Sequence, residues 1–311
     1  MNSVRSKVDG EFVPVFIGGT GRSGTTILKR VLSTSHQIVP SEQELRLLTD
    51  PCGLVSLHTA LFHRYDPYNI DFVLNNFVEM NLRAKKRSLL DLLSRGIVFF
   101  GGAPRRYWGL RYQWQNQSID MGKIITELLD ALNIVCSKAF WIGSKFSTRR
   151  KMYEFNGVSL AEARQAYERY LLALFSGVEE SKNLILDDTP LNILWADKLI
   201  EIFPSAKFIW IRRRPKDVIS STMNMPWASS DSNINRNRVE TLESNILEVF
   251  ESLPKEKKIE VQFEAMIASP ESEFKRLEEF LGVDDIRYDL VDLDKHNIGR
   301  GDTLHFSNGS R

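Results

Sequence analysis

Several features that define particular classes of protein are scarce in this 311-residue sequence or missing from it. It has two cysteines, Cys52 and Cys136, too few and too far apart for a disulfide framework or a Cys-x-x-Cys metal site. It has no run of about 18 apolar residues, as a membrane span requires, and no apolar segment of a signal peptide near its start. We therefore expect a globular protein from a reducing compartment, with no zinc site and no transmembrane segment.

An excess of charge of either sign is also missing, because 41 Lys+Arg balance 40 Asp+Glu for a net charge of +1. This balance disfavours a protein that wraps nucleic acid on a basic surface, so an anionic ligand would be bound by a local pocket. The expected location is cytoplasmic, or else the chain is a catalytic domain of a longer protein, an idea that the polar ending at 307–311 suits.

Alternating strand and helix patterns predict an α/β fold with a parallel sheet flanked by helices. Apolar, β-branched runs at 13–17 and 184–186 each precede a loop and a helical pattern, and 208–211 is continuously apolar, as in strands buried on both faces. Residues 259–263 are a similar candidate. We predict a single domain over 1–311 with a helical insertion at about 57–177.

Two segments of the insertion carry local signals. Ser159-x-x-Glu162 is typical of a capping box that opens a helix, here one that ends near Gly177. Residues 101–114 mix glycine, arginine and aromatic residues, which suits either a loop that covers a ligand or an ordinary surface loop.

Residues 19–26 (GTGRSGTT) have the G-x-x-x-x-G spacing of a phosphate-binding loop between a strand and a helix. The backbone amides of such a loop converge on an anion, and the helix N-terminus adds its positive end. Thr25 occupies the position of the lysine that contacts the β- and γ-phosphates in nucleoside-triphosphate hydrolases, and the cation is Arg22 within the loop. The pattern thus predicts an anion site and disfavours a nucleoside-triphosphate hydrolase.

The segment GTGRSGTTIL resembles the 5′-phosphosulfate loop of sulfotransferases, which use 3′-phosphoadenosine 5′-phosphosulfate (PAPS) as donor. The later KFIWIRRRPKDVISS resembles the 3′-phosphate segment of the same family, R-x-P-x-D-x-x-x-S. The resemblance implies a P-loop nucleotide-binding three-layer α/β fold, PAPS as co-substrate, 3′-phosphoadenosine 5′-phosphate (PAP) as product and no metal. The cofactor-binding residues that it implies are Gly21, Arg22, Ser23, Gly24, Thr25, Thr26, Arg213, Ser221 and, in a late loop, Arg300 and Gly301. Their neighbours Arg212 and Arg214 are expected to be solvated.

The stretch HQIVPSEQELRLLTDP is similar to that of tyrosylprotein and bacterial sulfotransferases, allowing one extra residue in the preceding helix. The similarity matches Glu44 to the family's catalytic glutamate and Arg46 to a nearby arginine. A general base at Glu44 would take the proton of the acceptor hydroxyl as the sulfuryl group transfers. His36, His58 and His63 are alternatives, because cytosolic sulfotransferases use histidine as base.

One position departs from the family pattern. Asp188 stands where related enzymes usually have the lysine of K-[TD]-P, which reverses the charge there, and Lys145 is a candidate to supply a cation from elsewhere. The predicted function is transfer of a sulfuryl group to a hydroxyl or, less favoured, an amine acceptor. A P-loop kinase and a non-catalytic nucleotide-binding module stay open as alternatives.

Overall fold

The computed structural model describes residues 12–83, 119–137, 152–175, 183–225 and 227–293. The predicted site residues Lys145, Arg300 and Gly301 lie outside these ranges, as does the segment 101–114. The strands of the described part are β1 (Val13–Gly18), β2 (Ile38–Pro40), β3 (Ile134–Ser137), β4 (Met152–Phe155), β5 (Leu184–Asp187), β6 (Lys207–Arg212) and β7 (Lys258–Gln262).

Five of these strands form one parallel sheet in the order β2-β5-β1-β6-β7. The central strand β1 pairs with β5 on one side, with Val15 opposite Leu186, and with β6 on the other, with Phe16 opposite Phe208. The four predicted strands are confirmed as β1, β5, β6 and β7. The three-residue strand β2 was not predicted from the sequence, since it is too short to show a period.

The helices of the described part are α1 (Thr25–Leu32), α2 (Leu54–Phe62), α3 (Pro67–Arg83), α4 (Met121–Ala131), α5 (Leu160–Ala173), α6 (Ala196–Ile202), α7 (Pro215–Met223), α8 (Ser232–Ser252), α9 (Phe263–Ala268) and α10 (Pro270–Leu281). A 3₁₀ turn at Pro190–Trp195 precedes α6. No described helix has the length and apolarity that crossing a bilayer requires. The α/β fold with helices beside a parallel sheet is thereby confirmed.

The described residues form two compact units, and the first comprises those within 1–40, 179–197 and 205–311. It contains the parallel sheet, whose core receives Leu28 and Val31 of α1 and Leu277 of α10, all fully buried. Burying an aliphatic side chain of this size stabilises the fold by about 1.5–3 kcal/mol. This packing fixes α1 against the sheet, and α1 is the helix that the glycine-rich loop opens.

The second unit comprises described residues within 41–178 and 198–204. Its described part is mostly helical and also contains an antiparallel ribbon of β3 and β4 that was not predicted from the sequence. The predicted capping box is present at the start of α5, with both of its reciprocal hydrogen bonds. In the interior, the Tyr170 hydroxyl donates a 2.8 Å hydrogen bond to Oδ1 of Asn81.

Candidate anion-binding site

The glycine-rich loop connects the end of β1 to the first residue of α1 through left-handed backbone at Gly21, Arg22 and Gly24, with φ of 79°, 58° and 109°. Gly24 is the N-cap of α1 and offers no side chain to the free amides of the first turn. A Cβ at Gly24 would lie 2.5 Å from the ring of Phe263, whereas one at Gly21 would meet no atom within 4 Å. The loop therefore leaves open space beside Gly21 and leaves helix amides for an external acceptor.

The second motif lies directly beside this loop. Nε of Arg22 donates a 3.1 Å hydrogen bond to the hydroxyl of Ser221, and Nη1 of Arg213 donates a 3.3 Å bond to the Arg22 carbonyl. The Arg213 guanidinium also lies over the Phe263 ring, 4.6 Å from its centroid. The structure thus brings together Arg22, Arg213 and Ser221, which the sequence places in segments almost 200 residues apart.

The three consecutive arginines after β6 have different surroundings. Arg212 is bound by Glu243 at 2.6 Å and by Glu260 at 3.3 Å, and Arg214 lies 2.8 Å from Asp217. Burial lowers the pKa of Arg212, but the hydrogen bond to Glu243 and the charge of Glu260 outweigh it, so the pKa lies above its ordinary value. Arg212 and Arg214 are therefore ion-paired. The expectation that they are simply solvated was wrong.

Arg213 and Arg22, by contrast, have no carboxylate within ion-pair distance among the described residues. Half-buried guanidinium groups are stabilised by close opposite charge, which no described carboxylate supplies here. A di-anionic or tri-anionic ligand would supply that charge. The middle arginine is thus distinguished from its neighbours by its partners as well as by its place in the motif.

Two buried donors at this site have no hydrogen-bond partner in the described part of the chain. They are the hydroxyl of Ser23 in the loop and Nε of Arg213. Buried polar groups are nearly always hydrogen-bonded, so an orphaned donor points to a ligand or an ion. Thr25 is buried and Thr26 is exposed at the start of α1. The residues present therefore fit a phosphate- or sulfate-bearing molecule.

Asp188 follows β5 at the position where the resemblance implies a lysine, and it forms an ion pair. Its Oδ1 lies 2.6 Å from Nζ of Lys29, and the side chains of Asp188 and Lys29 are 3% and 15% exposed. Lys29 is one helical turn after Thr25, on α1. The pair balances the charge of Asp188 and links the carboxyl end of β5 to the helix that carries the loop.

We expect Asp188→Asn to destabilise the protein by about 3 kcal/mol, because it removes the buried carboxylate that the Lys29 ammonium group contacts at 2.6 Å. Asp188→Lys, which introduces the family's residue, should cost more, since it sets two ammonium groups side by side. Urea unfolding measures both, with the exposed Asp284→Asn as control. A loss below about 0.5 kcal/mol for Asp188→Asn would mean that the pair contributes nothing.

The candidate base and its neighbour lie in the second unit, in the irregular segment between β2 and α2. Glu44 is half-buried, Glu42 is exposed, and Nε of Arg46 lies 3.1 Å from Oδ2 of Asp50. No observation on these residues tests the role of Glu44, which stays a prediction.

Each of the three alternative histidines lies next to a carboxylate. His36 contacts Asp285, while His58 and His63 both contact Glu201. A sequence signal for the second cluster was the presence of His58 within α2 and His63 directly after it, although the partner that completes the cluster is about 140 residues away.

Comparison with known proteins finds a match to one family model. Residues 142–287 match the model described as the sulfotransferase family, and this range includes Arg213 and Ser221. No curated protein matches the chain.

Solved structures to which this chain is similar include three bacterial proteins. The sulfotransferase domain of the Synechococcus PCC 7002 olefin synthase is 17% identical with a TM-score of 0.46, covering 92% of this chain and 79% of its own. Sulfotransferase STF9 of Mycobacterium avium is 15% identical with a TM-score of 0.40, covering 93% and 68%. A sulfotransferase of Alicyclobacillus acidocaldarius is 13% identical with a TM-score of 0.43, covering 87% and 81%.

Proposed function

Because residues 142–287 match the sulfotransferase family model, we propose that the chain is a sulfotransferase that transfers a sulfuryl group from PAPS to a hydroxyl acceptor, with an amine as the less favoured acceptor. The observation that carries the proposal is that Arg22 and Arg213, linked by the hydrogen bond from Nη1 of Arg213 to the Arg22 carbonyl, have no acidic partner in the described residues. A donor with phosphate groups at both its 3′ and 5′ ends offers negative charge to each.

Each of the two motifs would bind one end of the proposed donor. The 5′-phosphosulfate would bind at the N-terminus of α1, where backbone dipoles favour an anion. Its hydrogen-bond partners there would be the free amides of α1, the hydroxyl of Ser23, Thr25 and Thr26. Arg213 and Ser221 would bind the 3′-phosphate, the arginine by charge-assisted hydrogen bonds. PAPS supplies a sulfuryl group joined to a phosphate that serves as leaving group.

The chemistry proposed for the chain's own residues is positioning and charge stabilisation. Glu44 accepts the proton of the acceptor hydroxyl as its oxygen bonds to sulfur, and the bond from sulfur to the phosphate oxygen breaks. Arg22 and the α1 N-terminus stabilise the charge that develops on that departing phosphate, as donors do in phosphoryl transfer. Arg46 and Lys145 are further candidates to orient these groups, and no covalent enzyme intermediate is needed.

The test is release of PAP from labelled PAPS with a panel of hydroxyl and amine acceptors. We expect acceptor-dependent release that is the same with and without added Mg²⁺, because Thr25 replaces the lysine of magnesium-dependent P-loop enzymes.

Matched reactions with ATP in place of PAPS serve as the control. Turnover of ATP that requires Mg²⁺ would support a P-loop kinase instead. Tight binding of PAP without any release from PAPS, across the whole acceptor panel, would support a nucleotide-binding module.

A further inference from the structure

A second cluster of chemically capable side chains lies in the second unit and has no part in the proposed reaction. Nε2 of His63 lies 3.0 Å from both carboxylate oxygens of Glu201, and Nε2 of His58 lies 3.3 Å from Oε1. One ligand atom from each of the three residues falls within 4.8 Å of the others. Two imidazoles and a carboxylate thus lie close enough together to be ligands of one ion.

The histidine that is most deeply buried has no hydrogen bond of its own. The His58 side chain is fully buried, its Nε2 lies 3.3 Å from Oε1 of Glu201, and neither ring nitrogen forms a regular hydrogen bond in the described part of the chain. An imidazole nitrogen without a hydrogen bond offers its lone pair to a metal.

Access and rigidity also suit a metal. The side chains of His63 and Glu201 are 33% and 29% exposed, so an ion can enter from solvent and keep a water as a further ligand. Nε of Arg164 donates a 2.8 Å hydrogen bond to the Glu201 carbonyl, which fixes the backbone that presents the carboxylate. Lys198, whose ammonium is 3.8 Å from Glu201, is the cation that a bound metal would compete with.

We propose that His58, His63 and Glu201 form a binding site for Zn²⁺ that braces α2 against residues 198–204. Zinc bonds of about 2.0–2.2 Å place tetrahedral ligand atoms roughly 3.3–3.5 Å apart, so the separations of 3.3 Å and 3.0 Å between the histidine nitrogens and Glu201 need small adjustments. Two imidazoles favour zinc and similar transition metals over Mg²⁺ and Ca²⁺, which prefer oxygen ligands. The expectation of no zinc site came from the scarcity of cysteine, and this set contains none.

The test is titration of the tag-free, metal-free full chain with ZnCl₂ by calorimetry, and with CoCl₂ by visible absorption. We expect one equivalent of either metal per chain, a tetrahedral cobalt spectrum and a higher melting temperature with Zn²⁺. His63→Ala and Glu201→Gln, at partly exposed positions, should weaken binding by at least the roughly 10–100-fold that loss of a supporting residue costs.

His36→Ala is the matched control, because His36 also lies beside a carboxylate but has no second histidine. It should leave the affinity unchanged. The proposal is overturned if the wild type binds no zinc, if His36→Ala weakens binding as much as His63→Ala does, or if Mg²⁺ competes with equal affinity. Because the readouts are metal binding and melting temperature, they do not depend on sulfotransferase activity.

Discussion

Replacing Glu44 with glutamine should lower turnover by about 10²–10⁴-fold, the usual contribution of general-base catalysis, and leave PAP binding unchanged. Glutamine keeps the size and hydrogen bonding of the side chain but removes the basic oxygen that would accept the acceptor's proton. The expectation rests on the resemblance to tyrosylprotein-type enzymes and on the position of Glu44 four residues after β2. Steady-state turnover and calorimetric titration with PAP measure the two quantities.

Two variants serve as controls for this result. Glu42→Gln changes an exposed carboxylate two residues away, and His36→Asn removes the ring of an alternative base; both should reduce turnover far less. A larger loss in either variant than in Glu44→Gln would identify a different base. Weakened PAP binding in Glu44→Gln would mean that this residue supports the nucleotide site and does not transfer the proton.

Replacing Arg213 with alanine should weaken PAP binding by about 2–5 kcal/mol, as expected for truncating one partner of a hydrogen-bonded charge pair. Binding of AMP, which lacks the 3′-phosphate, should change much less. The physical reason is that Arg213 has no competing carboxylate in the described residues, so its charge is available to the ligand.

Arg214→Ala is the matched control, since Arg214 is exposed and already paired with Asp217 and Glu264. It should leave the affinity for PAP nearly unchanged. An equal loss in Arg213→Ala and Arg214→Ala would indicate a general electrostatic effect of the basic segment, and the assignment of the 3′-phosphate to Arg213 would be wrong.

Much of the sheet and of the candidate site could be predicted because both depend on local patterns. The strand β6 is a continuous apolar run, and the loop before α1 has glycines at the left-handed positions Gly21 and Gly24. Arg213 was selected over its neighbours by motif position. The structure adds an independent reason, because Arg212 and Arg214 are ion-paired and Arg213 has no ion pair with any described residue.

What could not be predicted depends on pairs of residues far apart in sequence. The ion pair of Asp188 with Lys29 spans 159 residues, and the cluster of His63 with Glu201 spans 138. The ribbon of β3 and β4 could not be predicted for the same reason, because its four-residue strands form by pairing with each other and are too short to show a periodic pattern. In each case tertiary packing, which a single sequence does not display, brings the partners together.

The measurement that tests the central claim most directly is calorimetric titration of the wild-type chain with PAP and, separately, with AMP. If Arg22, Arg213 and Ser221 form the nucleotide site, PAP should bind more tightly than AMP by an amount close to the loss in Arg213→Ala, about 2–5 kcal/mol. Equal affinity for the two nucleotides, or no binding of either, would contradict the assignment of this site to a 3′-phosphorylated donor.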